Sequence, residues 1–212
     1  MSIALSALLL AVSATAAPAS PQPASAEDLV RRLERRNREV RDVTARFTQT
    51  YRSGALGRTL VESGTLALKR PGRMRWEYEA PEKKTFVSDG TRFYFYVPGD
   101  RQVIVREQAG ERGVAMALLS GQGNLLDQFE ATLEAREGEP YERVRLVPRI
   151  PDPEVRSVSV ELDAQLRIRA ISIEDAQGNT SRFRFEALRE NLELPERMFR
   201  FELPRGVEVI QG

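Results

Sequence analysis

Few residues of this chain are equipped to make or break bonds. It contains no cysteine and no histidine. That excludes disulfides, thiolate nucleophiles, lipid attachment through an N-terminal cysteine, His-ligated zinc and any Ser-His-Asp arrangement. Carboxylates, serines and lysines remain. The nearest thing to an acid-base pair is Glu77 with Asp89, and no recognisable motif surrounds either. The polar group with the most distinctive setting is a guanidinium. Arg70 opens a corner, Arg70-Pro71-Gly72, between two alternating runs. In the second run Met74, Trp76 and Tyr78 share one face, and Arg73, Arg75 and Glu77 share the other. A second corner, Ala80-Pro81, follows. The pattern describes the edge of a curved antiparallel sheet with a bulky apolar face and an arginine at its rim. Its chemistry is apolar contact and hydrogen-bond donation, so no catalytic residue, metal or cofactor is expected.

The elements that must position this corner follow from periodicity. The chain has 212 residues and 41% hydrophobic content, enough for one core of ordinary size. Its net charge is +1, with acids and bases interleaved, so no one-signed stripe marks a nucleic-acid reader. Ile3 to Val12 is an apolar run too short to span a bilayer. A-x-A sites follow at Ala14-Thr15-Ala16 and Ala24-Ser25-Ala26, and the intervening segment is rich in Pro, Ala and Ser. Residues 1–26 therefore read as an export signal plus linker, although no Lys or Arg precedes the apolar run. Residues 27–212 read as one domain.

Glu27 to Arg41 is expected to be a helix, with Leu29, Val30, Leu33 and Val40 as its stripe and Asn37 interrupting it. The opposite face carries Arg31, Arg32, Arg35, Arg36 and Arg38, either a solvated face or a dock for an acidic partner. From Val43 the period falls to two. Strands follow at hairpin spacing, with Gly64 a bulge or close-approach point and Asp89-Gly90 a tight turn into Phe93-Tyr94-Phe95-Tyr96. Val114 to Ser120 reads as a short apolar helix. Asn124 is expected to cap a second through Leu125, Leu126 and Phe129. Strand period then resumes, with a bulge expected between Ala170 and Ile171 and a hairpin connection at Asp175 to Asn179. About ten strands in one antiparallel, strongly curved sheet result, with helices available to cover one face: a mainly β (α+β) fold.

The order and spacing of several short elements resemble the periplasmic lipoprotein carrier family, LolA. They include Phe47-Thr48-Gln49, Gly64-Thr65-Leu66, Lys69-Arg70-Pro71, Arg75-Trp76-Glu77-Tyr78 and Val87-Ser88-Asp89-Gly90. Leu146-Val147-Pro148, Phe199-Arg200-Phe201 and Pro204-Arg205-Gly206-Val207 continue the match to the end of the chain. The resemblance implies an unclosed β-barrel whose short helices form a lid over a hydrophobic cavity. It implies a soluble periplasmic monomer that takes acylated lipoproteins from an inner-membrane ABC transporter and delivers them to an outer-membrane receptor lipoprotein. It also implies that Arg70 holds the lid shut through hydrogen bonds to lid backbone. The opening helix is about one turn longer than in the best-known members, and the lid segment Ala115 to Gly121 shares only its Leu-Leu.

Physical chemistry is consistent with such a role. Each methylene kept from water is worth about 0.8 kcal/mol, so a long acyl chain needs an apolar shelter. Met74, Trp76, Phe93 and Phe95 on strands, with Leu118, Leu119, Leu125 and Leu126 on short helices, are the expected lining. Met74 and Trp76 also suit a plain core, and Arg70 also suits a surface turn. A carrier of another lipid or glycolipid is the alternative function, and a carboxylate hydrolase using Glu77 and Asp89 is a third.

Overall fold

The computed structural model describes residues 25–107, 118–119, 124–134 and 140–211. The expected export segment, apart from Ser25 and Ala26, and most of the expected first short helix, apart from Leu118 and Leu119, lie outside these residues. Helix α1 spans Ala26–Glu39. Ser25 caps it by accepting from the Asp28 amide at 3.2 Å, Glu27 and Asp28 occupy its positive end, and Leu29, Val30 and Leu33 are buried. It stops short of the expected Arg41 because Val40 already has an extended backbone, its N–H closing on the Arg36 carbonyl. No helix among the described residues is long and apolar enough to cross a membrane.

Two runs of hairpin-linked strands follow. The first comprises β1 (Asp42–Arg52), β2 (Thr59–Lys69), β3 (Arg73–Ala80), β4 (Lys84–Asp89), β5 (Arg92–Val97) and β6 (Gln102–Glu107). After the short helix α2 (Leu125–Gln128) come β7 (Phe129–Leu133), β8 (Glu142–Pro148), β9 (Ser157–Leu162), β10 (Ile168–Glu174) and β11 (Thr180–Glu190), and β12 (Glu208–Gln211) ends the chain. All join one sheet in the order β12-β6-β5-β4-β3-β2-β1-β11-β10-β9-β8-β7. Pairing of β1 with β11 fuses the two runs, while β12 and β7 remain as edges, so the curved sheet is unclosed.

Two expectations are corrected. The sheet has twelve strands rather than about ten, and β12 pairs parallel to β6, so the sheet is not wholly antiparallel. The cause is the route of the chain after β11. It crosses the outer face as a strap, where Asp42 accepts from the Leu192 amide at 2.6 Å and Lys69 donates to the Leu194 carbonyl at 2.6 Å. Leu194, Phe199 and Met198 pack on Ala67, Phe201 stacks on Tyr94, and the chain then reaches β6 from outside.

The inner face carries the main core. Val43, Ala45 and Phe47 of β1 lie beside Leu66 and Leu68 of β2, Met74 and Trp76 of β3, and Phe185 of β11. Phe47 meets Trp76 and Tyr78 edge-on, each at 4.9 Å between ring centres. Gly64 makes this possible, being both a bulge and a close approach. Register against β3 shifts between Ser63 and Gly64, and a Cβ at Gly64 would stand 1.9 Å from the Glu77 carbonyl oxygen. On β10 the register shift lies between Ile168 and Ala170, one step before the expected place. Ala170 and Ile171 are both buried, so the apolar phase change there reflects cover on both faces.

Candidate functional site

The β2–β3 corner places Arg70 against the end of α1. Its own amide donates to the Arg41 carbonyl at 2.8 Å, which fixes the corner beside the start of β1. Nη1 donates to the Val40 carbonyl at 2.7 Å and Nη2 to the Leu119 carbonyl at 3.1 Å, with Asn37 Oδ1 at 3.4 Å from Nη2. Carbonyls at helix ends lack intrahelical donors, and a planar guanidinium can serve two of them together. The fit is incomplete, because Arg70 Nε is buried without a hydrogen-bond partner. Burial, and then the neighbouring Arg36 guanidinium, pull the Arg70 pKa down to about 10, while Glu190 opposes them. Glu190 in turn is gripped by both its oxygens by Arg36 at 2.8 and 2.7 Å.

Around Arg70 the short helical pieces are tied to α1. Asn37, 5% exposed, donates from Nδ2 to the Leu118 carbonyl at 3.3 Å. Glu34 accepts from the Leu125 amide at 2.6 Å and so caps α2. This corrects the expected cap: Asn124 occupies the N-cap position but makes no side-chain capping bond. Phe129, expected in the helix, begins β7. Arg149 Nε donates to the Leu126 carbonyl at 3.1 Å from the end of β8.

The structure brings most of the expected lining together. Leu118, Leu119 and Leu125 are buried in the same cluster as Met74 and Trp76, with Leu126 partly buried against it. Phe93 and Phe95 are on the same face, opposite Ser88 and Phe86, but half-buried and outside that cluster; Phe93 stacks on Phe86 at 5.5 Å. Beneath Arg70, between Asn37, Val40, Leu68, Leu119 and Glu190, a space of about 30 Å³ remains. Leu119 and the end of α1 pack closely over the sheet here.

Asn37 and Glu34 were not legible as site residues. A polar side chain interrupting the stripe of α1 was the one available sign, since a buried amide needs partners. Glu77 and Asp89, the candidate acid-base pair, are each occupied locally. Glu77 accepts from Arg75 and from Thr85. Partial burial pushes the Asp89 carboxyl up, but bonds from the Arg92 and Thr91 amides and the Thr91 and Tyr94 hydroxyls bring it below the usual range.

Residues 38–202 match the family model described as outer membrane lipoprotein carrier protein LolA. A Chromohalobacter salexigens protein named outer-membrane lipoprotein carrier protein is 32% identical over 95% of both chains. One of the same name from Alkalilimnicola ehrlichii is 33% identical over 90% of this chain and 86% of its own. An uncharacterised conserved protein from Thermus thermophilus shares the fold, with a TM-score of 0.58 at 14% identity over 88% of this chain and 99% of its own. On the span and strength of these matches, this chain belongs to the LolA family.

Proposed function

We propose that this chain is a periplasmic carrier for acylated lipoproteins, with residues 1–26 its export segment and residues 27–212 one carrier domain. It receives cargo released by an inner-membrane ABC transporter and passes it to an outer-membrane receptor lipoprotein, acting as a monomer without catalysis or cofactor. One observation carries the reading: Arg70 donates to the Val40 and Leu119 carbonyls and so closes a helical cover over the apolar inner face. Beside it, α2 with its four residues is too short to be stable as an isolated helix, so its place depends on packing and on ties such as that from Glu34. Acyl chains displace the cover by offering equivalent apolar contact, and the closed state expels them again once a better apolar site is available. Family membership and the named relatives support the same reading.

The test is solubilisation. Purified protein is added to spheroplasts, and the medium is assayed for lipoproteins that have left the membrane in complex with it. Triacylated proteins recovered on the carrier are expected. Free lipids recovered without acylated protein would mark a carrier of another lipid, and an empty carrier would refute both readings.

A further inference from the structure

The apolar inner face has a second boundary at the end of the strands away from Arg70. Gln49, Glu62, Tyr78, Lys84 and Ser181 lie on β1, β2, β3, β4 and β11, five strands adjacent in the sheet. Each stands two residues from an inner-face position, respectively Phe47, Gly64, Trp76, Phe86 and Phe183, so all five side chains point to the same side. They form a linked belt. Tyr78 donates to Gln49 Oε1 at 2.8 Å, and Gln49 Nε2 donates to Ser181 Oγ at 2.9 Å. Lys84 pairs with the buried Glu62 and sits 5.0 Å over the Tyr78 ring. Two residue pairs further on, on the same face, Tyr51 and Leu60 face each other at the exposed hairpin end.

A methylene group gains nothing at this belt. To pass it, the group must either strip a buried ion pair of its surroundings or emerge into water. The apolar run is therefore finite. From Val43, which lines the space beneath Arg70, to Gln49 is six strand steps, about 20 Å at the rise of an extended chain. A staggered alkyl chain with bonds of about 1.5 Å advances about 1.3 Å per carbon, so the run matches about 16 carbons.

We propose that the polar belt and the Arg70 corner bound the acyl site and make it a length ruler, selective for saturated chains of about 16 carbons. The inference rests on the carrier reading and adds a specificity to it. The experiment measures binding of the full chain to N-acylated peptides identical except for straight saturated chains of about 10 to 20 carbons, each below its aggregation threshold. The dissociation constant is expected to fall about fourfold per methylene up to about 16 carbons and then to level off. Continued fourfold gains to the longest chain would overturn the ruler, whereas no binding at any length would overturn the carrier reading with it. Glu62→Leu with Lys84→Met removes the ion pair without stranding either charge, and should move the break at least two carbons longer. A break left in place by that folded double variant would also overturn the proposal. Where the double variant does not fold, Tyr78→Phe, which removes only the link to Gln49, should blunt the break, and an equally sharp break would count the same way.

Discussion

Replacing Arg70 by leucine removes the guanidinium while keeping a side chain of comparable apolar reach. Of its two well-formed bonds, that to Val40 at 2.7 Å is kept when the short pieces lift and that to Leu119 at 3.1 Å is lost, while the 3.4 Å contact to Asn37 adds little. A hydrogen bond from a charged donor contributes about 1.5–3 kcal/mol, so the Leu119 bond favours the closed cover by about 2 kcal/mol, roughly 30-fold. The empty closed state competes with the cargo-bound open state, so weakening the first strengthens retention of the second. The assay loads a fluorescent triacylated lipopeptide onto each protein and follows its transfer to acceptor vesicles. Arg70→Leu should bind more tightly and release up to about 30-fold more slowly. Hydrogen exchange at the Leu119 amide of the empty variant should accelerate in step. A variant that binds the lipopeptide and releases it within about twofold of the parent rate refutes the reasoning, because no closure energy would then reside in Arg70.

Three further outcomes follow from the geometry. Gly64→Ala drives a Cβ to 1.9 Å from the Glu77 carbonyl oxygen and 2.8 Å from its carbon, both backbone atoms, and should cost at least about 3 kcal/mol in urea unfolding. An unchanged urea midpoint would mean that β2 and β3 splay apart at no cost. Glu34→Ala removes the acceptor from the Leu125 amide, and hydrogen exchange there should quicken about fivefold, the equivalent of about 1 kcal/mol for a lost cap; unaltered protection would show that another group caps α2. Glu196 is held below the ordinary glutamate range, first by a hydrogen bond from Lys69 and then by the Arg73, Lys69 and Arg200 charges. Its contribution to anchoring the strap is therefore complete above its ordinary value of 4.5 and is lost as pH falls through the lowered pKa. Thermal melts from pH 6 to pH 3 should show a shallower acid decline for Glu196→Gln than for the parent; equal slopes would remove Glu196 from the anchor.

How much of this was legible depends on how local each feature is. The strands of the two runs announce themselves because one face is buried and side chains alternate, and Gly64 stands out as a gap in a packed strand. The strap and β12 do not. All four β12 residues are exposed, so no apolar alternation marks the strand, and its parallel pairing depends on a crossing that starts some 20 residues earlier. Arg70 by itself reads as a turn arginine, and its role became an expectation only through the family likeness. Asn37 looked like a flaw in a helix because its partners, Arg70 and the Leu118 carbonyl, are 33 and 81 residues away. The wrong cap on α2 has the same origin. Asn124 is a good local cap, but Glu34 comes from 91 residues earlier and takes the amide.

Under the carrier reading, the bonds also decide which part of the cover moves. Moving only the short pieces around Leu118 and α2 breaks the Arg70–Leu119, Asn37–Leu118, Glu34–Leu125 and Arg149–Leu126 bonds. Swinging α1 out together with them spares the two internal ties but breaks Arg70–Val40 and the two-pronged Arg36–Glu190 pair instead. Among the described residues the polar costs are therefore similar, and apolar burial decides between the two motions. Short pieces alone uncover Leu118, Leu119 and Leu125, all of which an arriving acyl chain can cover again. Moving α1 as well uncovers Leu29, Val30 and Leu33, each worth about 1.5–3 kcal/mol, on a helix that packs against β7 and β8. The cheaper path keeps α1 seated as the fixed jaw, with Val40 still bonded to Arg70, while the short pieces lift from it. On that path the Arg70 bond to Leu119 is the one that opens, and the bond to Val40 is what keeps the guanidinium aimed for reclosure.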